Sequence, residues 1–229
     1  MLSELGRRAH ACGLALRGAF HPEPSEFDGL LPATISAGTV VLLGFTGSVQ
    51  WPLFACSPEA NDGLPDPLDR WSRRIVGALA REFGALDLYP SGTPQLPFQQ
   101  LATRCEPVHQ SPIGLLIHPR WGLWHAYRGA LVLPERIQLP PVEESRHPCG
   151  SCNTKPCLSA CPVGAFNSGT FNLDACVEHV LSASGSDCRD SGCRARRACP
   201  VATEFGYVEQ QARFHMRAYL EQTAVTRIE

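Results

Sequence analysis

Between Cys149 and Pro200 the chain carries eight of its eleven cysteines, in two runs that each end on Cys-Pro. The first run is Cys149-x2-Cys152-x4-Cys157-x3-Cys161-Pro162. The second is Cys176, then Cys188-x4-Cys193-x5-Cys199-Pro200. Thiols at this density need disulfides or metal, and the compartment decides which. Near the N-terminus stand Glu4, Arg7 and Arg8, and the apolar run from Ala11 to Leu16 is too short and wrongly flanked for a signal peptide. No segment approaches the roughly 18 apolar residues of a membrane span. The expectation is a soluble cytoplasmic protein, in which thiols stay reduced and dense cysteines mean metal.

Two cubane clusters need eight thiolates, and the module supplies eight. In two-cluster ferredoxins the last cysteine of each Cys-Pro run binds the other cluster. That interleave gives one [4Fe-4S] cluster on Cys149, Cys152, Cys157 and Cys199, and a second on Cys161, Cys176, Cys188 and Cys193. Loop amides pointing at the sulfides would offset the cluster's negative charge. The spacing departs from the usual one, because Asn153-Thr-Lys-Pro156 makes a middle gap of four and the second run is stretched to x4 and x5. A stretched loop leaves the ligation by Cys188 open. A pair of four-cysteine zinc sites, which also use C-x2-C, is the alternative. Cys12, Cys56 and Cys105 lie in apolar or helical contexts and read as small buried side chains.

Upstream, residues 2–12 read as an amphipathic helix ended by Gly13, followed by an extended piece from Leu14 to Phe20. Thr39 to Phe45 is an apolar, β-branched run of the kind buried on both faces. The clearest helix has Asp66 as N-cap, Pro67 at its first position and Gly84 as its stop, with Leu68, Trp71, Ile75, Val76, Leu79 and Phe83 on one face. A short helix at Val49 to Ala55, a strand at Leu86 to Tyr89 and a helix at Phe98 to Cys105 are also expected. Gly114–Ile117 and Leu123–Leu133 read as a hairpin turning through His118-Pro-Arg-Trp-Gly122. Pro134 to Pro148, with four prolines, is the strongest boundary, and an amphipathic helix is expected from Glu204 to Glu221. With a net charge of −2 and a pI near 6.4, the overall balance advertises no nucleic-acid or membrane surface.

From Cys149 to Pro200 the chain resembles the dicluster module of the epoxyqueuosine reductases, corrinoid-dependent iron–sulfur enzymes of tRNA modification. That family also places a lone cysteine in a following helix, as Leu173-Asp-Ala-Cys-Val does with Cys176. The segment Ile113-Gly-Leu-Leu-Ile-His-Pro-Arg-Trp-Gly-Leu-Trp-His-Ala-Tyr-Arg-Gly-Ala-Leu-Val-Leu-Pro134 is similar to the signature of cobalamin-processing proteins of the cobalamin C type. Weaker similarity reaches back through Leu64–Asp69 and the Val40–Phe45 strand. Together the resemblances imply an α+β chain, with a nitroreductase-like α/β sandwich domain followed by a bacterial two-cluster ferredoxin-like module. The expected divisions are 1–142, 143–203, and 204–229 as a C-terminal helix packing on the body.

The hairpin crowds two tryptophans, two histidines and two arginines onto one turn. Alternation along Leu123–Leu133 puts Leu123, His125, Tyr127 and Gly129 on one face and Trp124, Ala126, Arg128 and Ala130 on the other. Plain core tryptophans and satisfied surface histidines are the bland reading. The cobalamin resemblance implies a corrin pocket with Gly114, His118, Trp124 and Arg128 as binding residues. In that family the matching arginine helps bind glutathione, and the glycine admits close backbone approach to the corrin. His118 would touch the corrin periphery or only cap the turn.

Taken together these features predict a cobalamin-binding iron–sulfur reductase. Its two clusters would deliver electrons to a corrinoid and be fed by an electron-donating reductase or flavodoxin. Two alternatives stand beside it. One is an electron-transfer ferredoxin whose N-terminal domain docks a partner, which requires the aromatic hairpin to be core. The other is an epoxyqueuosine-reductase-like enzyme lacking the usual acid. In that family the proton-donating aspartate falls near Pro94–Gln99, where this chain has none, and no basic tract advertises a tRNA substrate.

Overall fold

The computed structural model describes the chain except residues 24, 25, 28, 30, 31, 33–36, 93, 94, 168, 169 and 227–229. Pro94, the first residue of the stretch lacking an acid, lies outside the described residues. In chain order the elements are α1 (Leu2–Ala11), β1 (Ala15–Phe20), β2 (Thr39–Thr46), α2 (Trp51–Ala55), α3 (Pro58–Asn61), α4 (Pro67–Phe83), β3 (Leu86–Leu88), α5 (Phe98–Ala102), β4 (His109–Gln110), β5 (Leu116–Ile117), β6 (His125–Leu133), α6 (Pro156–Ser159), β7 (Phe166–Asn167), β8 (Thr170–Phe171), α7 (Leu173–Leu181), α8 (Ser186–Ser191), α9 (Arg194–Arg197) and α10 (Glu209–Thr226). The architecture is α+β, in two compact units. One comprises Met1–Pro107 and His125–Glu144, the other Val108–Trp124 and Ser145–Glu229. Among the described residues no helix is long and apolar enough to cross a membrane.

The first unit is built on an antiparallel sheet of order β1-β2-β6-β3. Its central strand β2 is buried at all eight positions, as a run of β-branched and apolar residues dictates. Helix α4 packs on β6 and β3 and buries Leu68, Trp71, Val76 and Leu79. Trp71 meets Phe45 of β2 at 5.7 Å and Phe54 of α2 at 5.8 Å, which joins helices and sheet through aromatic edges. The helix ends as expected, on Gly84 in the left-handed region. Its start differs, because Asp66 is itself left-handed and its side chain makes no capping hydrogen bond.

The expected hairpin is not formed. Strand β6 pairs with β2 and β3, whereas β5 pairs with β4, His109 opposite Ile117. His118 and Gly122 close a tight turn between them, their backbones exchanging hydrogen bonds of 2.9 and 2.8 Å. Residues 108–124 therefore belong to the cysteine unit and not to the 1–142 domain that the sequence suggested. Two-residue strands carry too little local pattern to announce their partner. β6 is buried continuously from Gly129 to Leu133 rather than on alternate residues, since both faces of a central strand are covered.

In the second unit α10 packs on α8. It begins at Glu209, after a 3₁₀ turn at Thr203–Phe205, so the C-terminal helix belongs to the cysteine unit and starts later than Glu204.

Candidate metal centre

All eleven cysteines are free thiols. Cys12 and Cys56 are exposed and Cys105 half-buried, which corrects the expectation that all three are small core residues. Cys12 and Cys56 end α1 and α2, where side chains leave the packed face. The Cys105 thiol lies against the carbonyls of Leu101 and Ala102, and burial, with Glu106 adjacent, pushes it up to about 12. It is a neutral thiol and not a ligand.

The other eight sort into two fours by which thiols feel one another. Burial pushes Cys149 above the ordinary thiol value, and Cys199, Cys157 and Cys152 push it further, with Lys155 pulling it back. Cys157 is raised by burial and by Cys199 and Cys152, and Cys199 by burial and by Cys152. In the second four, burial raises Cys176, with Cys193, Cys161 and Cys188 adding to it. Burial likewise raises Cys193, with Cys188 and Cys161 adding. Cys149, Cys152, Cys157 and Cys199 thus influence one another, as do Cys161, Cys176, Cys188 and Cys193.

Local backbone aims hydrogen-bond donors at these sulfurs. The Ala165 amide donates to the Cys161 sulfur at 3.3 Å. The nearby amides of Leu158 and Val201 favour the thiolates of Cys157 and Cys199, and those of Arg196 and Ala195 that of Cys193. The Tyr219 hydroxyl of α10 lies against Cys176 and favours its thiolate. Partly buried sulfurs packed together suit a bound cation that takes up their charge once the protons leave. Among the described residues no three His, Cys, Asp or Glu side chains converge on the position of one metal ion. A polynuclear cluster anchors each thiolate on its own iron and requires no such point.

The 113–124 segment walls this centre. Ile113, Ile117 and Leu123 form one apolar cluster with Cys157, Cys199 and Ala195, against which Cys149, Cys161 and Cys193 also pack. Gly122 has φ of +56°, and a Cβ there would stand 2.3 Å from the Val201 carbonyl oxygen, just beyond the second Cys-Pro. Only glycine fits on both counts. Trp121 meets Phe205 edge-on at 4.8 Å, and Trp124 meets Tyr207 at 5.4 Å.

The residues assigned to a corrin have other duties. Gly114 is exposed, with φ of +79° and open space around it, so a left-handed turn position explains it. His118 caps its own turn, Nδ1 accepting from the amides of Arg120 at 3.0 Å and Trp121 at 3.4 Å. Trp124 is 6 % exposed in the aromatic core of its unit. The Arg128 guanidinium is engaged by Asp69 of α4 in an ion pair and by the Ser72 hydroxyl at 3.0 Å. The side chains of His118, Trp124 and Arg128 are thus each engaged within the protein.

Solved structures with a similar fold are epoxyqueuosine reductases. One, in complex with an epoxyqueuosine-modified tRNA-Tyr stem loop, matches 92 % of this chain and 70 % of its own at 16 % identity and a TM-score of 0.50. The Bacillus subtilis enzyme, with its catalytic loop swung out of the active site, matches the same shares at 15 % identity and a TM-score of 0.51. The chain is similar in fold to epoxyqueuosine reductase. No family model matches it, and no curated protein matches it in sequence.

Two contributors to the thiol centre carried no clear motif. His147 Nδ1 accepts the Cys149 amide at 3.1 Å while its Nε2 meets the Gln110 carbonyl at 3.1 Å. That pairing fixes the neutral Nε2–H tautomer, and the ring stacks on His109 at 4.7 Å. Arg196, inside the x5 gap, holds the Leu123 carbonyl. The stretched spacing was the available signal, since five residues are enough for one helical turn.

Proposed function

We propose that this chain is an iron–sulfur oxidoreductase of the epoxyqueuosine reductase type. One [4Fe-4S] cluster is held by Cys149, Cys152, Cys157 and Cys199, and a second by Cys161, Cys176, Cys188 and Cys193. The observation that carries the reading is the packing of Cys149, Cys157, Cys161, Cys193 and Cys199 into one cluster with Ile113, Ile117 and Leu123, where the Ala165 amide donates to the Cys161 sulfur. When bound, such clusters supply single electrons at potentials between about −700 and +450 mV. The chain's own residues position the thiolates, exclude water through Ile113, Ile117 and Leu123, and hold the Cys149 loop through His147. The 95–99 stretch offers no acid. Glu106, the nearest carboxylate that follows it, is 5 % exposed and tied to Arg17 and Tyr127, so on this reading the proton comes from elsewhere than the stretch to which the resemblance assigns the family's aspartate.

One observation favours a second reading, an electron carrier. Trp124 is buried against Tyr207 and the half-buried Trp121 meets Phe205, in keeping with a packed aromatic stretch in a chain whose N-terminal unit docks a partner. Reduced protein would be mixed anaerobically with an epoxyqueuosine-modified tRNA stem loop and, separately, with a one-electron acceptor. Conversion to queuosine supports the reductase. Rapid oxidation by the acceptor with no nucleoside conversion supports the carrier. Each mixture is run with and without hydroxocobalamin, because the epoxyqueuosine reductases that the chain resembles are corrinoid-dependent.

A further inference from the structure

Arg196 stands between the two thiol groups in a way that neither Cys-Pro run describes. It sits in the α9 turn, whose N-cap is Cys193, a member of the second four. Its carbonyl accepts the amide of Cys199, a member of the first, at 3.2 Å. The α9 turn therefore links a cysteine of each set.

The side chain is clamped as firmly as the backbone. Nε and Nη2 donate to the Leu123 carbonyl at 3.1 and 2.5 Å. The guanidinium lies over Trp124 at 4.8 Å and over Tyr207 at 4.4 Å. A planar cation with fixed donors suits this double aromatic contact, where an ammonium would keep the charge but lose the fork. Ala195, the neighbouring residue, is buried in the apolar cluster shared with Cys157 and Cys199. The x5 gap is thus one helical turn, α9, fixed at its third residue.

We propose that Arg196 is the positioning residue that sets the separation and coupling of the two clusters. This rests on the two-cluster reading. Its clamp holds α9, and α9 holds Cys193 and Cys199 at a fixed spacing, which governs how strongly the reduced clusters interact.

The test compares full-length wild type, Arg196→Lys and Arg196→Leu after anaerobic reconstitution. Iron and sulfide are counted, and the dithionite-reduced proteins are examined by electron paramagnetic resonance. The wild type should show a spectrum split by interaction between two reduced clusters. Arg196→Leu should lose that splitting, and the two potentials should move enough to change the oxidised-to-reduced ratio of at least one cluster about tenfold at fixed potential, or about 59 mV for a one-electron couple. Arg196→Lys, which keeps the cation over both rings, should lie between. An unchanged split spectrum and unchanged potentials in Arg196→Leu would overturn the assignment while leaving the clusters standing. Equal iron loss in both variants, with the remaining clusters spectroscopically normal, would overturn it too by reducing Arg196 to fold support. A wild type with two zinc ions and no sulfide would overturn the two-cluster reading itself, and this inference with it.

Discussion

Arg17 and Glu106 form an ion pair whose side chains are 1 % and 4 % exposed. Arg17 Nε meets Glu106 at 2.9 Å, its Nη1 donates to the Phe45 carbonyl at 2.7 Å, and the Tyr127 hydroxyl donates to the other carboxylate oxygen at 2.5 Å. Removing one member leaves a buried charge without its partner, which costs about 3–5 kcal/mol. Glu106→Gln should lower the unfolding free energy by about that amount in urea melts, and a midpoint equal to wild type would refute the role. Arg128→Ala should cost about 1 kcal/mol by losing Asp69 and Ser72, with the visible cluster absorbance unchanged. Single residues were the least legible scale. The resemblance assigned Arg128 to a bound ligand, whereas the structure pairs it with a carboxylate of its own unit. That carboxylate is Asp69, fifty-nine positions away on α4, a pairing that only the packing of α4 on β6 creates.

Among the elements, α3 is tied to α4 by Glu59 and Arg74. The Arg74 guanidinium holds the Glu59 carboxyl down to about 2 from an ordinary 4.5. A depressed carboxyl contributes stability above its unfolded value, and that contribution is lost as pH falls from 4.5 toward 2. The melting temperature of the wild type should therefore drop more steeply across that window than that of Glu59→Gln, and parallel curves would contradict the tie. Gly122→Ala should cost about 1–3 kcal/mol from the left-handed backbone alone, and the Val201 contact adds to that. Iron retention should fall with it, measured as iron per chain after gel filtration. Elements with strong local pattern were legible, such as β2 with its unbroken apolar run and α4 with Pro67 and Gly84. The α3 cap, the Ser57 hydroxyl accepting from the Ala60 amide at 3.3 Å, was not picked out.

At the scale of the whole molecule, the chain leaves its first unit at Pro107, contributes 108–124 to the second, and returns as β6. That excursion was not legible, because β4 and β5 are two residues each and their pairing depends on contacts remote in sequence. The eight cysteines were legible, because thiols at this density admit few roles and two runs ending on Cys-Pro specify an interleave. The excursion gives the 113–124 signature a physical role: it is the apolar wall of the thiol centre. Ile117→Asp, at a fully buried position, should then deplete iron although it lies more than thirty residues from Cys149. The most direct measurement is the iron and acid-labile sulfide content of the anaerobically reconstituted protein. About eight of each per chain are expected for two cubane clusters, falling in the Cys188→Ala and Cys199→Ala variants. Two zinc ions with no labile sulfide would contradict the account.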